Sequence, residues 1–183
     1  ILGSIPIGVI IAKAKGVDLK KVGSKNIGAT NVLRSLGRWP AALTLLGDIL
    51  KGTLAVALGR YFGAGPLYEG LIGLSAVLGH NFSVFLRFRG GKGVATSLGV
   101  LILYSLQTAI FTFIIWLVVA LTTRYSSLGS LISFGLLPLS ISFFDSKEKL
   151  PVAVLMTAFI FIRHKDNIQR LIKGTERKMG ERV

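Results

Sequence analysis

Long apolar runs, separated by short polar and basic segments, constrain this chain more than any other feature. Some approach the roughly 20 residues that a helix needs to cross a bilayer. Others are shorter and rich in Gly, Ala and Ser, which suits tightly packed, tilted or partly broken helices. The sequence therefore predicts an all-α polytopic membrane protein of about seven transmembrane helices, near residues 1–13, 40–60, 67–86, 94–107, 108–122, 127–144 and 150–163.

Composition agrees with this class and excludes others. Hydrophobic residues make up 51% of the chain, and the mean hydropathy of +0.66 is high for a soluble domain. The net charge of +14 is spread over short loops and a tail, which argues against a nucleic-acid-binding face. Cysteine is absent, and no group of His and carboxylates has metal-ligand spacing. The sequence therefore predicts no metal site and no cofactor.

We expect a single integral-membrane domain over residues 1–183, because no repeat or low-complexity linker divides the chain. The first apolar run is too short for a full crossing. We therefore expect the first helix to continue upstream of Ile1.

The cations divide unequally between two sets of loops. One set contains only Arg60, Lys147 and Lys149. By the positive-inside rule, the other set is cytoplasmic, which places the N-terminus in the periplasm and the C-terminus in the cytoplasm. Two crossings separate each basic segment from the next, so all of them share one face and can form one site. The cytoplasmic set is Lys13, Lys15, Lys20, Lys21, Lys25, Arg34, Arg38, Arg87, Arg89, Lys92, Arg124, Arg163, Lys165, Arg170, Lys173, Arg177, Lys178 and Arg182.

The first polar segment, residues 23–34, is rich in glycine, hydroxyl and amide groups. Glycines let the backbone approach a ligand, and successive N–H groups can cradle a phosphate. It is not a Walker A loop, because Ala29 and Thr30 follow Gly28. The alternative is a solvated loop that caps the next helix. The candidate side-chain ligands are Ser24, Asn26, Thr30, Asn31 and Arg34.

The second polar segment places a cation among glycines just where an apolar helix begins. Gly90, Gly91 and Gly93 bracket Lys92. Charge, free backbone donors and a helix N-terminus then converge, which favours an anion. The alternative is a turn whose cations only enforce topology.

Ionisable residues also lie inside the apolar runs. Asp48 and Lys51 stand one turn apart, and such groups are costly in a membrane unless paired or facing a site, so we favour a structural ion pair that supports the loops. His80 is either hydrogen-bonded to a neighbouring helix or a ligand of the site. Neither His80 nor His164 has an Asp at the spacing of the His-x4-Asp dyad that many glycerolipid acyltransferases use.

The third polar segment, residues 163–176, predicts a helix that leaves the membrane. His164, Asn167 and Leu171 share one face at helical spacing, and Gly174 is a natural stop. The alternative is a basic amphipathic tail on anionic lipid.

Four motifs in order, GSIPIG, GSKNIGATNVLR, LGHNFSVFLRFRGGKGVAT and RHKDNIQRLIKGTE, closely resemble the bacterial acyl-phosphate:glycerol-3-phosphate acyltransferase family over nearly the whole chain. The resemblance implies transfer of an acyl group from acyl phosphate to the 1-hydroxyl of glycerol 3-phosphate, giving lysophosphatidic acid and phosphate. It implies the bacterial inner membrane, a cytoplasmic active site, and transient contact with the soluble enzyme that makes acyl phosphate.

The resemblance also assigns residues. Catalytic roles fall to Ser24, Lys92, His164 and Asn167. An acyl-phosphate cradle would comprise Ser24, Asn26, Gly28, Ala29, Thr30 and Asn31, and glycerol 3-phosphate would contact Arg34, Lys92, His164 and Asn167. The wider substrate-binding set adds Gly23, His80, Gly90, Gly91, Gly93 and Glu176.

Two mechanisms and three functions stay open at this point. Because phosphate is a good leaving group, an acyl-phosphate oxygen can accept the hydroxyl proton, and the competing mechanism makes His164 the general base. A small transporter or channel is the alternative function, suggested by Asp48, Lys51 and short Gly-interrupted helices. A non-catalytic membrane scaffold is the third.

Overall fold

The computed structural model describes residues 1–181, which form α-helices and short 3-10 turns without a β-strand. The predicted all-α class is confirmed for this range. The 3-10 turns are Leu2–Ser4, Val84–Leu86 and Lys147–Lys149. The helices are α1 (Ile7–Ala14), α2 (Ala29–Leu36), α3 (Arg38–Tyr61), α4 (Pro66–Asn81), α5 (Val94–Tyr104), α6 (Leu106–Thr123), α7 (Ser126–Gly135), α8 (Leu137–Phe144), α9 (Leu150–Arg163) and α10 (Lys165–Ile172).

Within residues 1–181, three helical segments are long and apolar enough to cross a membrane: α3, α6, and α4 with its following turn. The pair α7 and α8 is bent by 43° and makes a fourth if counted as one span. At about 1.5 Å per residue, α5 is far shorter than a roughly 30 Å bilayer core. Each predicted apolar segment is helical, whereas seven crossings and the orientation of the termini stay predictions.

The long helix α3 has one packed face and one outward face. Leu43, Leu46, Leu50, Leu54 and Leu58 recur at helical spacing and are about half exposed. A regular stripe of exposed leucines on an apolar helix is the surface expected to face lipid. The other face of α3 packs against α5 and α4.

Close packing of α3 on α5 depends on glycine. A Cβ at Gly52 would collide with the carbonyl of Thr96, and one at Gly99 with the carbonyl of Ile49. Small residues of this kind let helix backbones approach in membrane proteins. The contact holds the beginning of α5, where the Lys92 turn enters, against the middle of α3.

A smaller cluster anchors the first polar loop. Leu19 and Val32 are buried against Ala12 and Ala41, so the loop and α2 are fixed to α1 and α3. The loop's polar residues are thereby held beside the beginning of α5 and the end of α9.

Candidate functional site

The polar segments meet at one cavity of about 330 Å³ that opens to the surface. Its walls come from the first loop and α2, the Lys92 turn, the start of α7, and α10 with the chain after it. Apart from Gly90 and Gly91, every residue of the predicted substrate-binding set lines it. Those residues are Gly23, Ser24, Asn26, Gly28, Ala29, Thr30, Asn31, Arg34, His80, Lys92, Gly93, His164, Asn167 and Glu176.

Asn31 folds the first loop from within. Its Nδ2 donates to the carbonyls of Asn26 (2.7 Å), Leu19 (3.2 Å) and Val22 (3.2 Å), and its Oδ1 accepts from the Ser24 amide (2.8 Å). The side chain is 1% exposed. Asn31 is therefore engaged in shaping the loop, and Ser24 lines the cavity.

The N-terminus of α2 supplies backbone donors. Gly28 is its N-cap in an extended conformation, and no side chain in the described part of the protein caps it. The first amides of a helix have no intrahelical acceptor and carry partial positive charge. Together with Thr30, whose hydroxyl lies 3.3 Å from that of Ser126, they form a donor-rich wall suited to phosphate.

Arg34 adds a fixed cation to this wall. Its Nη2 donates to the carbonyls of Arg177 (3.0 Å) and Lys178 (3.1 Å), which ties α2 to the C-terminal segment. Its Nε is buried and has no hydrogen-bond partner among residues 1–181. Burial lowers the pKa of the guanidinium, although Glu176 opposes the shift. An unpaired buried N–H at a cavity wall is a ready donor for an anion.

Lys92 projects into the cavity from its glycine turn. Its Nζ donates to Asn167 Oδ1 at 2.5 Å. Burial lowers the pKa of Lys92 to about 8, although the charge of Glu176 partly opposes the shift. Gly93 adopts a left-handed conformation (φ 85°) as the N-cap of α5, with no side-chain cap from the described residues. Cation and helix N-terminus thus converge, as the sequence predicted.

Gly90 and Gly91 lie behind the cavity. Their carbonyls accept from Arg163, at 3.2 Å and 3.0 Å respectively. Their amides donate to the carbonyls of Asn81 and His80. The structure therefore brings these two glycines to the site as its support and not as its lining.

His164 is almost completely buried, at 2% exposure. Its Nδ1 lies 2.8 Å from the carbonyl of Ile160, which can only accept, so Nδ1 carries the proton and Nε2 has the free lone pair. Burial, reinforced by the charge of Lys92, lowers the pKa of His164 to about 4. The ring is therefore neutral near pH 7.

Asn167 and Glu176 complete a connected network. Asn167 Nδ2 and Ser127 Oγ donate to Glu176 Oε1, and Arg170 Nε donates to Oε2 at 2.7 Å. Burial disfavours the charged carboxylate, but these hydrogen bonds outweigh it and lower the pKa of Glu176. With its amide nitrogen held there, Asn167 must present Oδ1 to Lys92.

The ion pair predicted for Asp48 and Lys51 is present, with Lys51 Nζ 2.8 Å from Asp48 Oδ1. His80 joins it: its Nδ1 lies 2.7 Å from Lys51 Nζ. All three residues are at most 4% exposed.

Sequence reasoning missed the beginning of α7. Ser126, Ser127 and Ser130 line the cavity, and Ser127 bonds Glu176. The available signal was a pair of serines two residues after the basic residue Arg124, on the face that the cations had already marked.

Apolar side chains form another part of the cavity wall, beside Asp48 and Thr112. The apolar lining residues are Leu45 and Ile49 of α3, Leu98 of α5, and Phe113 and Trp116 of α6. Leu45 and Phe113 are each more than 40% exposed, so this part of the wall also reaches the outer, apolar surface. One cavity therefore joins a region rich in nitrogen donors to a region suited to an alkyl chain.

Comparisons with known proteins agree with the family resemblance of the sequence motifs. The family model described as glycerol-3-phosphate acyltransferase matches residues 1–174. A glycerol-3-phosphate acyltransferase of Thermus thermophilus is 50% identical over 184 residues, covering 100% of this chain and 92% of that protein. That of Rubrobacter xylanophilus is 46% identical over 185 residues, with coverage of 100% and 92%.

Solved structures agree as well. The crystal structure of PlsY, an integral membrane glycerol 3-phosphate acyltransferase, in its glycerol 3-phosphate form has a TM-score of 0.91 and 43% identity, covering 98% of this chain and 90% of that one. Its lysophosphatidic acid form has a TM-score of 0.89 and 42% identity, covering 98% and 91%. This chain belongs to the glycerol-3-phosphate acyltransferase family.

Proposed function

We propose that this chain transfers a fatty acyl group from acyl phosphate to the 1-hydroxyl of glycerol 3-phosphate, giving lysophosphatidic acid and inorganic phosphate. The observation that carries the proposal is the two-part cavity, with cations and free amides at one end and apolar walls at the other. Two phosphates and one alkyl chain match those two parts. The PlsY relative, solved in glycerol 3-phosphate and lysophosphatidic acid forms, supports the acceptor and the product.

The chemistry needs positioning more than a strong base. The 1-hydroxyl oxygen bonds to the carbonyl carbon of acyl phosphate, and the bond from that carbon to the phosphate oxygen breaks. The hydroxyl proton passes to an oxygen of the leaving phosphate. Fixed donors that neutralise the crowded negative charge then supply most of the rate enhancement.

Each wall of the cavity has a part in this scheme. Gly23 and the first loop hold acyl phosphate, with Ser24 near the reacting group. Arg34 and Lys92 hold glycerol 3-phosphate together with His164 and Asn167. The supporting residues are His80, Gly90, Gly91, Gly93 and Glu176.

His164 acts in this proposal as a binding residue. A pKa of about 4 makes its Nε2 a weak base, while the free lone pair can accept a hydrogen bond from a glycerol hydroxyl. The substrate phosphate therefore takes the proton, and His164 orients the hydroxyl that loses it.

The proposed location is the bacterial inner membrane, with the cavity on the cytoplasmic face. There the chain meets glycerol 3-phosphate from the cytosol and acyl phosphate from the bilayer. Transient contact with the soluble enzyme that makes acyl phosphate belongs to the same proposal, and no metal or cofactor is part of it.

The test is purified protein in detergent or vesicles, given labelled glycerol 3-phosphate and palmitoyl phosphate. We expect labelled lysophosphatidic acid and one phosphate released per acyl group. Palmitoyl-CoA and palmitoyl-acyl carrier protein serve as alternative donors, and product from either of these alone would overturn the acyl-phosphate assignment. Uptake of unmodified glycerol 3-phosphate into sealed vesicles would instead indicate a transporter. A protein that shows neither acyl transfer nor uptake would be a non-catalytic scaffold.

A further inference from the structure

Three ionisable side chains are buried together at the cavity, which Asp48 and His80 line, and we call them the buried triad: Asp48, Lys51 and His80. Lys51 Nζ lies 2.8 Å from Asp48 Oδ1, 2.7 Å from His80 Nδ1 and 3.0 Å from the carbonyl of Ile5. The ammonium is hydrogen-bonded to His80 Nδ1 and to the Ile5 carbonyl, and it pairs with Asp48 Oδ1 by charge. The geometry therefore fixes the orientation of the His80 ring from one side.

The other side of the ring faces the Lys92 turn. A Cβ placed on Gly91 would fall on His80 Nε2, and one placed on Gly90 would fall on the His80 carbonyl. That carbonyl also accepts the Gly91 amide at 3.0 Å. The turn is thus packed directly on His80 and touches both the backbone and the ring of that residue.

The turn has little freedom elsewhere. Arg163 holds the carbonyls of Gly90 and Gly91 from the end of α9. Gly93 is committed to the first turn of α5, because its carbonyl accepts the Ser97 amide at 2.7 Å. The direction of Lys92 therefore depends on the surface that His80 presents beneath it.

We propose that the buried triad is a positioning device: Asp48 and Lys51 set the His80 ring, the ring sets the Gly90–Gly91 backbone, and that backbone aims Lys92 at the phosphate. Lys51 also joins the device to the chain before α1 through Ile5. His80 then acts on substrate through Lys92, and Lys51 contributes without lining the cavity. The inference rests on the proposed function, because it needs Lys92 to hold a phosphate.

A double-mutant cycle distinguishes positioning from general stability. His80→Ala removes both the acceptor for Lys51 and the surface under Gly91. We expect it to lower kcat/KM for glycerol 3-phosphate by roughly 10- to 100-fold. In a Lys92→Ala background, the same change should lower kcat/KM by less than about twofold, because the residue it positions is gone. Losses that multiply fully in the double variant would overturn the proposal.

Two further variants keep the test informative if His80→Ala fails to fold. His80→Asn restores an acceptor near the position of Nδ1 and should recover part of the lost kcat/KM. Gly91→Ala disturbs the same contact from the turn without leaving a buried charge unpaired. It should show the same loss and the same lack of additivity with Lys92→Ala. Wild-type kcat/KM in Gly91→Ala would refute the positioning role, whatever happens to His80→Ala.

The matched control is Glu69→Gln. Glu69 pairs with Arg60 between the same two helices, in the first turn of α4 and the last turn of α3, away from the triad. It should lower the Tm in detergent while its effect on kcat/KM stays independent of Lys92. Wild-type protein without acyltransferase activity would sink the proposed function itself, whereas active wild-type protein with an additive cycle would sink only the positioning role.

Discussion

Lys92 is half-buried and donates a hydrogen bond to Asn167, and the turn that carries it packs on His80. Replacing it with alanine removes the counter-charge of a phosphate in a partly desolvated site. We expect Lys92→Ala to lower kcat/KM by about 100-fold or more in the acyl phosphate assay. Lys147→Ala, in a loop predicted to lie on the opposite face, should be silent. Similar losses in both would point to general instability.

The pH profile offers a separate test of the same ammonium. Because burial lowers the pKa of Lys92 to about 8, its charge is present below that pH and lost above it. We expect kcat/KM to fall as the pH rises through about 8. Lys92→Arg keeps its charge at higher pH, so the alkaline limb should move upward even if the activity is reduced. An unmoved limb would assign the titration to another group.

The role of His164 is tested by separating binding from turnover. If it only orients glycerol 3-phosphate, His164→Ala raises KM more than it lowers kcat, and high glycerol 3-phosphate restores much of the rate. A group with a pKa of about 4 also leaves no limb at pH 6 to 7. Failure of saturating substrate to rescue the variant, with loss of an acidic limb near pH 6 to 7 seen in the wild type, would make His164 the base.

Single residues also show the limit of sequence reasoning. The residue types of the first loop predict a phosphate cradle, yet the engagement of Asn31 with three carbonyls depends on how residues 19–26 fold over it. Likewise, the charge of Arg34 was evident, but its bonds to the carbonyls of Arg177 and Lys178 join positions more than 140 residues apart. No local pattern carries such pairings.

Between elements, the contact of α3 with α5 is expected to be the least tolerant of added volume. Gly99→Ala would press a methyl group onto the carbonyl of Ile49, a backbone atom that cannot rotate away. We expect a drop in Tm of several degrees, from roughly 1–3 kcal/mol of overpacking. Gly135→Ala is the control, because its nearest contact is an ordinary 3.5 Å to Phe161. Equal Tm values for the two variants would contradict this packing.

Apolar runs predicted where helices lie but not where they break. The segment over 127–144 is divided into α7 and α8 near Pro138, which has no N–H to continue the ladder. The carbonyl of Phe134, left without that partner, accepts Thr157 Oγ1 of α9 at 2.7 Å. The proline was visible in the sequence, whereas the threonine that compensates for it comes from tertiary packing.

For the whole molecule, the distribution of cations makes a prediction about sidedness. Cysteines introduced at Ser35 and Arg89, and a reporter fused after Val183, should all report the cytoplasm. A cysteine at Ser146 should report the periplasm. Accessibility to a membrane-impermeant thiol reagent, in intact and opened cells, provides the measurement. A periplasmic Arg89 would separate the second polar segment from the others and is incompatible with one shared cavity.

The two-part cavity has a kinetic consequence at the scale of the membrane. In the proposed reaction, one reactant is counted in moles per litre of cytosol and the other in molecules per unit area of bilayer. Diluting acyl phosphate with inert phospholipid, at constant total amount, therefore slows turnover although nothing in the aqueous phase has changed. The rate therefore depends on the surface concentration of acyl phosphate in the bilayer, and so on the composition of the membrane around the protein.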